Sequence, residues 1–317
     1  MRRRLRLLPP MLLSWLVVLP LAAQSAPTTL LPAAPRFDAA RAYEHVKRFV
    51  DFGPHPPGTA ASRRVQEYLA KQLEAAGLRV ELQRFTAATP LGEMEMTNIV
   101  GILAGEEPAA LVLACHYDTK LFSTFTFVGA NDGGSGVGVL LELARVLAAK
   151  PQRLTLLFVF FDGEEALRDF SSVDGLYGSR HFIEVGEEEG WLAAIKAAVI
   201  LDLVGDRDLN LLREGFSSPA LLGLFLESAR RLRLEGFFSS RESSIQDDHL
   251  PFRRAGIPAV DLIDFSYGAA TEPGPFWHTA EDTLDKLSLK SLKVVGELVL
   301  ETLPAIELFV RQEAGRE

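Results

Sequence analysis

Six runs of apolar and β-branched residues constrain this chain more than any other feature: 78–85, 98–103, 109–115, 154–161, 197–204 and 259–263. Several are continuous rather than alternating, as in Leu154 to Phe161, and a continuous run is what a strand needs when both its faces are covered. Helical patterning occupies 38–52, 59–76, 135–149, 218–233 and 288–311; in the second of these Val65, Leu69 and Leu73 recur every fourth residue and form one apolar stripe. Strands interleaved with helices predict an α/β fold, a mixed and mostly parallel central sheet sandwiched by helices. No linker, internal repeat or low-complexity segment interrupts the pattern, so one catalytic domain is expected over residues 37–313.

The polar residues collect where the apolar runs stop. His116-Tyr117-Asp118 closes the third run, Asp162-Gly163-Glu164-Glu165 the fourth, and Asp202 interrupts the fifth. Asn131-Asp132-Gly133 opens a long helix, Gln246-Asp247-Asp248-His249 precedes the last strand, and Trp277-His278-Thr279 follows it. Open α/β sheets gather ligands just past the carboxyl ends of their strands, where the backbone is rigid and side chains converge. Adjacent residues there point in different directions, so one carboxylate of the Glu164-Glu165 pair can bind a cation while its neighbour handles protons beside it. Asp202 sits among Ile200, Leu201, Leu203 and Val204, where an unpaired carboxylate is costly. A mixture of imidazole nitrogens and carboxylate oxygens suits zinc better than calcium or magnesium.

Other polar residues have plainer readings. His55 lies in the loop 53–58, His45 and His181 lie in helical segments as packing or surface residues, and His249 organises the loop after Asp247-Asp248. Lys120 anchors a loop or meets a peptide. Cys115, the only cysteine, reads as a small buried hydrophobe, and no intrachain disulfide can form.

The formal charge of −9 argues against nucleic-acid binding, which needs a basic face to neutralise phosphates. Arg2, Arg3, Arg4 and Arg6 precede an apolar run from Leu12 to Leu21 and then small residues near Ala22, Ala23, Ser25 and Ala26. This is the pattern of a secretory signal, with residues 1–26 as signal and leader. The run is short against the roughly 20 residues a membrane span needs. Cleavage after residue 23 removes four arginines and no acid, taking the charge from −9 to −13. A secreted or periplasmic monomer, free of the membrane once the signal is gone, is the expectation.

Taken together, these patches resemble the zinc-dependent aminopeptidase superfamily and, within it, the animal-type glutaminyl-peptide cyclotransferases, over residues 39 to 312. The resemblance implies that Asp132, Glu165 and His278 ligate a catalytic zinc and that Glu164 is the general acid/base. His116 and Asp202 match the ligands that complete a second zinc site in the aminopeptidases; cyclases can keep both residues while holding one ion. Asp247 and Asp202 then orient Glu164 by sharing a proton, and Trp277, Phe170, Phe276 and Ile245 surround a small substrate side chain. Asp174 to Phe182, Ala114 to Lys120 and Asp247 to Phe252 follow the cyclase pattern closely, and Asp247 and Trp277 stand where aminopeptidases commonly carry Ser and Tyr. Phe170 departs from it, since the animal enzymes have a tryptophan there. The implied activity is cyclisation of N-terminal glutamine on peptides with release of ammonia. The alternative is a secreted aminopeptidase using two zinc ions.

Overall fold

The computed structural model describes residues 35–269 and 271–314, so the signal and leader expected over 1–26 lie outside the described residues. Two helices come first, α1 (Ala39–Val50) and α2 (Ala60–Ala75), each opened by a side-chain cap: Asp38 accepts from the Ala40 and Arg41 amides, Thr59 from that of Ser62. The order continues as β1 (Arg79–Thr89), β2 (Gly92–Leu103), β3 (Glu107–His116), α3 (Gly134–Ala148), β4 (Leu154–Phe161), α4 (Tyr177–Glu188) and β5 (Ile195–Asp202). Then come β6 (Leu211–Glu214), α5 (Pro219–Leu232), β7 (Phe238–Ser243), α6 (His249–Arg254), β8 (Ala259–Ile263) and α7 (Leu289–Ala314).

Six strands form one sheet in the order β1-β2-β4-β3-β5-β8. β1, β2 and β4 pair antiparallel, whereas β4, β3, β5 and β8 pair parallel, the mixed sheet expected from sequence. Because those four run the same way, their carboxyl ends share one edge, and His116, the segment after Phe161, Asp202 and the segment after Ile263 all emerge there.

The continuous apolar runs are explained by what covers them. Along β3, Leu111, Leu113 and Cys115 pack into a core with Val46 and Phe49 of α1, Leu69 of α2, Leu140 of α3, Phe225 of α5 and Leu298 of α7. The alternate residues Val112 and Ala114 pack on the other face with Phe182 of α4 and Phe252 of α6. Helices therefore cover both faces. Cys115 is fully buried, as a small hydrophobe would be.

A second sheet of two parallel strands, β6 and β7, had no expectation in the sequence. β6 is only four residues long, and β7, Phe-Ser-Ser-Arg-Glu-Ser, is mostly polar. Among the described residues no helix is long and apolar enough to cross a membrane.

Candidate metal centre

At the shared strand edge, Asp132 stands between two histidines and offers one oxygen to each. Its Oδ1 lies 3.2 Å from His116 Nε2, and its Oδ2 lies 3.3 Å from His278 Nε2. His278 Nε2 is also 3.0 Å from Glu165 Oε1, while His116 Nε2 is 3.4 Å from Asp202 Oδ1. Two ligand groups result, Asp132–Glu165–His278 and His116–Asp132–Asp202, sharing Asp132.

Both groups fit a divalent cation. Both ring nitrogens of His116, Asp132 Oδ2 and Asp202 Oδ1 are buried with no hydrogen-bond partner, a costly state that a cation between them would relieve. Nitrogen and oxygen donors in threes, with positions left open, are the donor set of a catalytic zinc site.

The backbone carrying these ligands is held from behind by two buried carboxylates. Asp118 accepts from the Glu164 amide at 3.0 Å and the Glu165 amide at 3.3 Å, fixing the acid pair as it leaves β4. Asp282 accepts from the Asn131 amide at 2.8 Å and the Asp132 amide at 3.1 Å, and the Tyr267 hydroxyl donates to it at 2.8 Å. Gly133 follows with φ of 79°, a backbone conformation that favours glycine, and a Cβ there would crowd the His116 ring at 3.0 Å. Neither Tyr267 nor Asp282 stood out in the sequence, because each lies in a loop without periodicity.

His278 itself sits at φ 54°, with the Trp277 indole stacked on its ring at 3.7 Å between centroids. On another side Phe122 and Phe127 meet the His278 ring edge-on at 5.8 and 5.9 Å, and Phe125 stacks on Phe122 at 4.4 Å. The 122-125-127 spacing of aromatic residues in one loop was the available signal, and sequence reasoning did not use it.

A cavity of about 450 Å³ opens over the ligands, lined by Asp132, Glu164, Glu165, Asp202, Asp247 and His278 with Phe170, Ile245, Phe265 and Trp277. A larger groove of about 550 Å³ over Val100, Ile102 and Leu157 of the sheet lacks such a convergence of acids and imidazoles. Phe276 requires correction as a pocket residue. Its ring packs on Tyr267 at 5.4 Å, with the Lys286 ammonium over it, because the loop folds back through Gly274, whose amide donates to the Phe265 carbonyl. Phe265 takes the pocket position instead and meets Trp277 at 5.0 Å.

Burial pushes the Glu164 carboxyl well above its ordinary value, and Glu165, Asp247 and Asp248 add to the shift while His116 opposes it. Burial likewise pushes Asp202 up to about 7. A carboxyl tuned upward beside a cation site is suited to taking and returning protons near neutral pH.

The remaining polar residues have structural partners. Lys120 Nζ donates to the Ala166 carbonyl at 2.8 Å and lies 3.5 Å from Glu165, tying one loop to the acid pair. His55 is fully buried, its ring nitrogens 2.6 Å from the Gly53 carbonyl and 2.9 Å from that of Tyr117, so it braces the strand end next to His116. His45 meets the Tyr68 hydroxyl, and His181 stacks on Phe85. His249 is the exception: it is buried 3.2 Å from Glu214 and 3.8 Å from Asp261 without a hydrogen bond to either, and belongs to neither ligand group above.

A mixed sheet that brings carboxylates and imidazoles together at its strand ends, with a buried acid of raised pKa beside them, has the build of a metal-dependent α/β enzyme. The chain belongs to peptidase family M28, whose pattern matches residues 98–303, and that membership implies zinc. It is 35% identical over 267 residues to the glutaminyl-peptide cyclotransferase-like protein of Mus musculus, covering 72% of this chain and 66%, just under two thirds, of the mouse protein. It is 32% identical over 269 residues to the glutaminyl-peptide cyclotransferase of Drosophila melanogaster, covering 75% of this chain and 73% of the fly protein. Among solved structures, the Acidobacteriales bacterium glutaminyl cyclase superposes with a TM-score of 0.82 at 38% identity, covering 90% of this chain and 99% of that one.

Proposed function

We propose that the protein is a zinc-dependent glutaminyl-peptide cyclotransferase, converting the N-terminal glutamine of peptides to pyroglutamate and releasing ammonia. The observation that carries this reading is Glu164, a carboxyl whose burial raises its pKa, lining with Asp132, Glu165 and His278 a cavity walled by Trp277. Relatives and structural neighbours named as cyclotransferases and cyclases support it.

Asp132, Glu165 and His278 would hold one zinc ion, which when bound supplies Lewis-acid polarisation of the substrate's γ-amide carbonyl. Glu164 accepts a proton from the α-amine as that amine attacks the carbonyl carbon of the γ-amide. It then delivers the proton to the amide nitrogen, the bond from carbon to that nitrogen breaks, and ammonia leaves. Asp247 and Asp202, both lining the cavity, orient Glu164. Trp277, Phe170, Phe265 and Ile245 surround the folded side chain and exclude water. Because the attack is intramolecular, holding that folded conformation supplies much of the rate.

A second reading has its own observation, the His116–Asp132–Asp202 group, which offers a second cation site. With two ions bound, Glu164 would deprotonate water and the product would be a free N-terminal amino acid. Purified protein given a glutaminyl peptide and, in parallel, a panel of aminoacyl peptides separates the two. Loss of ammonia from an otherwise intact glutaminyl peptide supports the cyclase, and released amino acids without pyroglutamate refute it.

Residues 1–26 fit an export signal, which makes the working compartment periplasmic or extracellular and the substrates exported peptides. N-terminal sequencing of protein recovered from those fractions tests this, and an intact Met1 there would contradict it.

A further inference from the structure

The cavity is graded from a buried floor to an exposed rim. Asp132 and Glu165 on the floor are each 3% exposed, whereas Arg168, Asp169 and Phe170, which line the same cavity, are exposed residues of the loop between β4 and α4. A peptide whose first residue sits over the floor must leave past this rim, because an extended chain advances only about 3.3–3.6 Å per residue.

The backbone of that rim is fixed. Asp174, 2% exposed, accepts from three successive amides, that of Leu167 at 2.8 Å into Oδ1 and those of Arg168 at 3.0 Å and Asp169 at 3.2 Å into Oδ2. The Tyr177 hydroxyl donates to Asp174 Oδ1 at 3.0 Å, and the Ser171 amide donates to the Asp174 carbonyl at 2.9 Å. A buried carboxylate gripping the loop from within sets where the Arg168 and Asp169 side chains leave the chain.

The two cations lining the cavity are differently engaged. Lys120 Nζ donates to the Ala166 carbonyl at 2.8 Å and lies 3.5 Å from Glu165, so it is committed. The Arg168 guanidinium has no hydrogen bond, ion pair or ring contact among the described residues; only its backbone amide is engaged. A planar group with several donors, matched to a carboxylate in bidentate fashion, therefore faces whatever passes the rim. The deeper acids have partners of their own. Asp132, Glu165 and Asp202 lie against His116 and His278, and Asp247 accepts from the Asp248 amide. Asp169 at the rim is likewise without a partner among the described residues, but its short side chain reaches less far than a guanidinium on a three-carbon stem.

We propose that Arg168 is a specificity residue: it receives a carboxylate carried by the first or second residue after the N-terminal glutamine, so that acidic peptides are preferred over basic ones. This assignment rests on the reading that a glutaminyl N-terminus occupies the cavity. The contact is made by a part of the substrate that does not react and is equally strong before and in the transition state, so it lowers KM and leaves kcat alone.

The test offers zinc-loaded protein matched glutaminyl peptides that carry glutamate or lysine in the second or third position, and follows ammonia release at low and high sodium chloride. In the position that Arg168 reads, kcat/KM for the glutamate peptide is expected to exceed that for the lysine peptide about tenfold at low salt, through KM, and about twofold at high salt. Arg168→Gln should bring the ratio to about one, Arg168→Glu should invert it, and Asp169→Asn should keep it at or above the parent value. A parent ratio near one at both positions, or a ratio that survives Arg168→Glu, overturns the proposal. Loss of the preference in Asp169→Asn as complete as in Arg168→Gln would show that the fold of the loop carries it and not the guanidinium, and also contradicts it. Calorimetric titration of the same peptides into each protein reads the same ratios as dissociation constants. Binding ratios as expected without ammonia release from any peptide would sink the cyclase reading and leave Arg168 its role; ammonia release with equal binding of acidic and basic peptides would do the reverse, and no binding of any peptide would overturn both.

Discussion

The cavity has two unlike walls. On one, Asp132 and Glu165 are buried and their backbone amides are held by Asp282 and Asp118. On the other, Phe170 is 41% exposed and, with the half-buried Ile245, presents apolar surface. Chemistry depends on placement to fractions of an ångström and so draws on strand ends and buried acceptors. Recognition of a side chain depends on apolar area, which loop residues supply. The first wall should therefore fail abruptly under substitution and the second gradually.

Glu164→Gln should have the largest effect, lowering kcat by about 10³-fold with zinc content unchanged, since it removes the proton acceptor and leaves Asp132, Glu165 and His278 in place. Steady-state ammonia release and elemental analysis of the same sample check both halves of that statement. Next comes Asp282→Asn, which turns an acceptor toward the Asn131 and Asp132 amides into an amide that satisfies them less well. Zinc affinity, measured by competition with a chromophoric chelator, should drop about 10–100-fold. Trp277→Ala removes the ring stacked on His278 and should lower kcat/KM about tenfold, a loss of ~1.4 kcal/mol in the transition state. The smallest effect belongs to Phe170→Ala, where KM should rise about threefold with kcat unchanged. A collapse of kcat in Phe170→Ala as large as that in Glu164→Gln would erase the distinction between the walls.

The same division governs how much was legible in the sequence. β4 and β8 were bounded to the residue because continuous apolar runs end there in charged or polar ones, and several of the candidate ligands stand at or just past the ends of such runs. β6 and β7 were not legible, since a four-residue strand and a polar one carry no periodic signal. Asp282 escaped notice because its role is to accept two backbone amides, and any loop aspartate has the same sequence signature. Phe276 and Phe265 exchanged places for a related reason: the fold-back of the loop around Tyr267 and Gly274 decides which ring faces the cavity, and residue types do not encode that path. His249 and Asp261 became a pair only when α6 and β8 were packed together.

The central claim is that one zinc, held by Asp132, Glu165 and His278, serves Glu164 in cyclisation. Its most direct test is to strip the protein with a chelator and add zinc back stepwise while following ammonia release from a glutaminyl peptide. Activity should reach its plateau at one equivalent of zinc, with no amino acid released. A plateau only at two equivalents, or release of the N-terminal residue in place of ammonia, would contradict it.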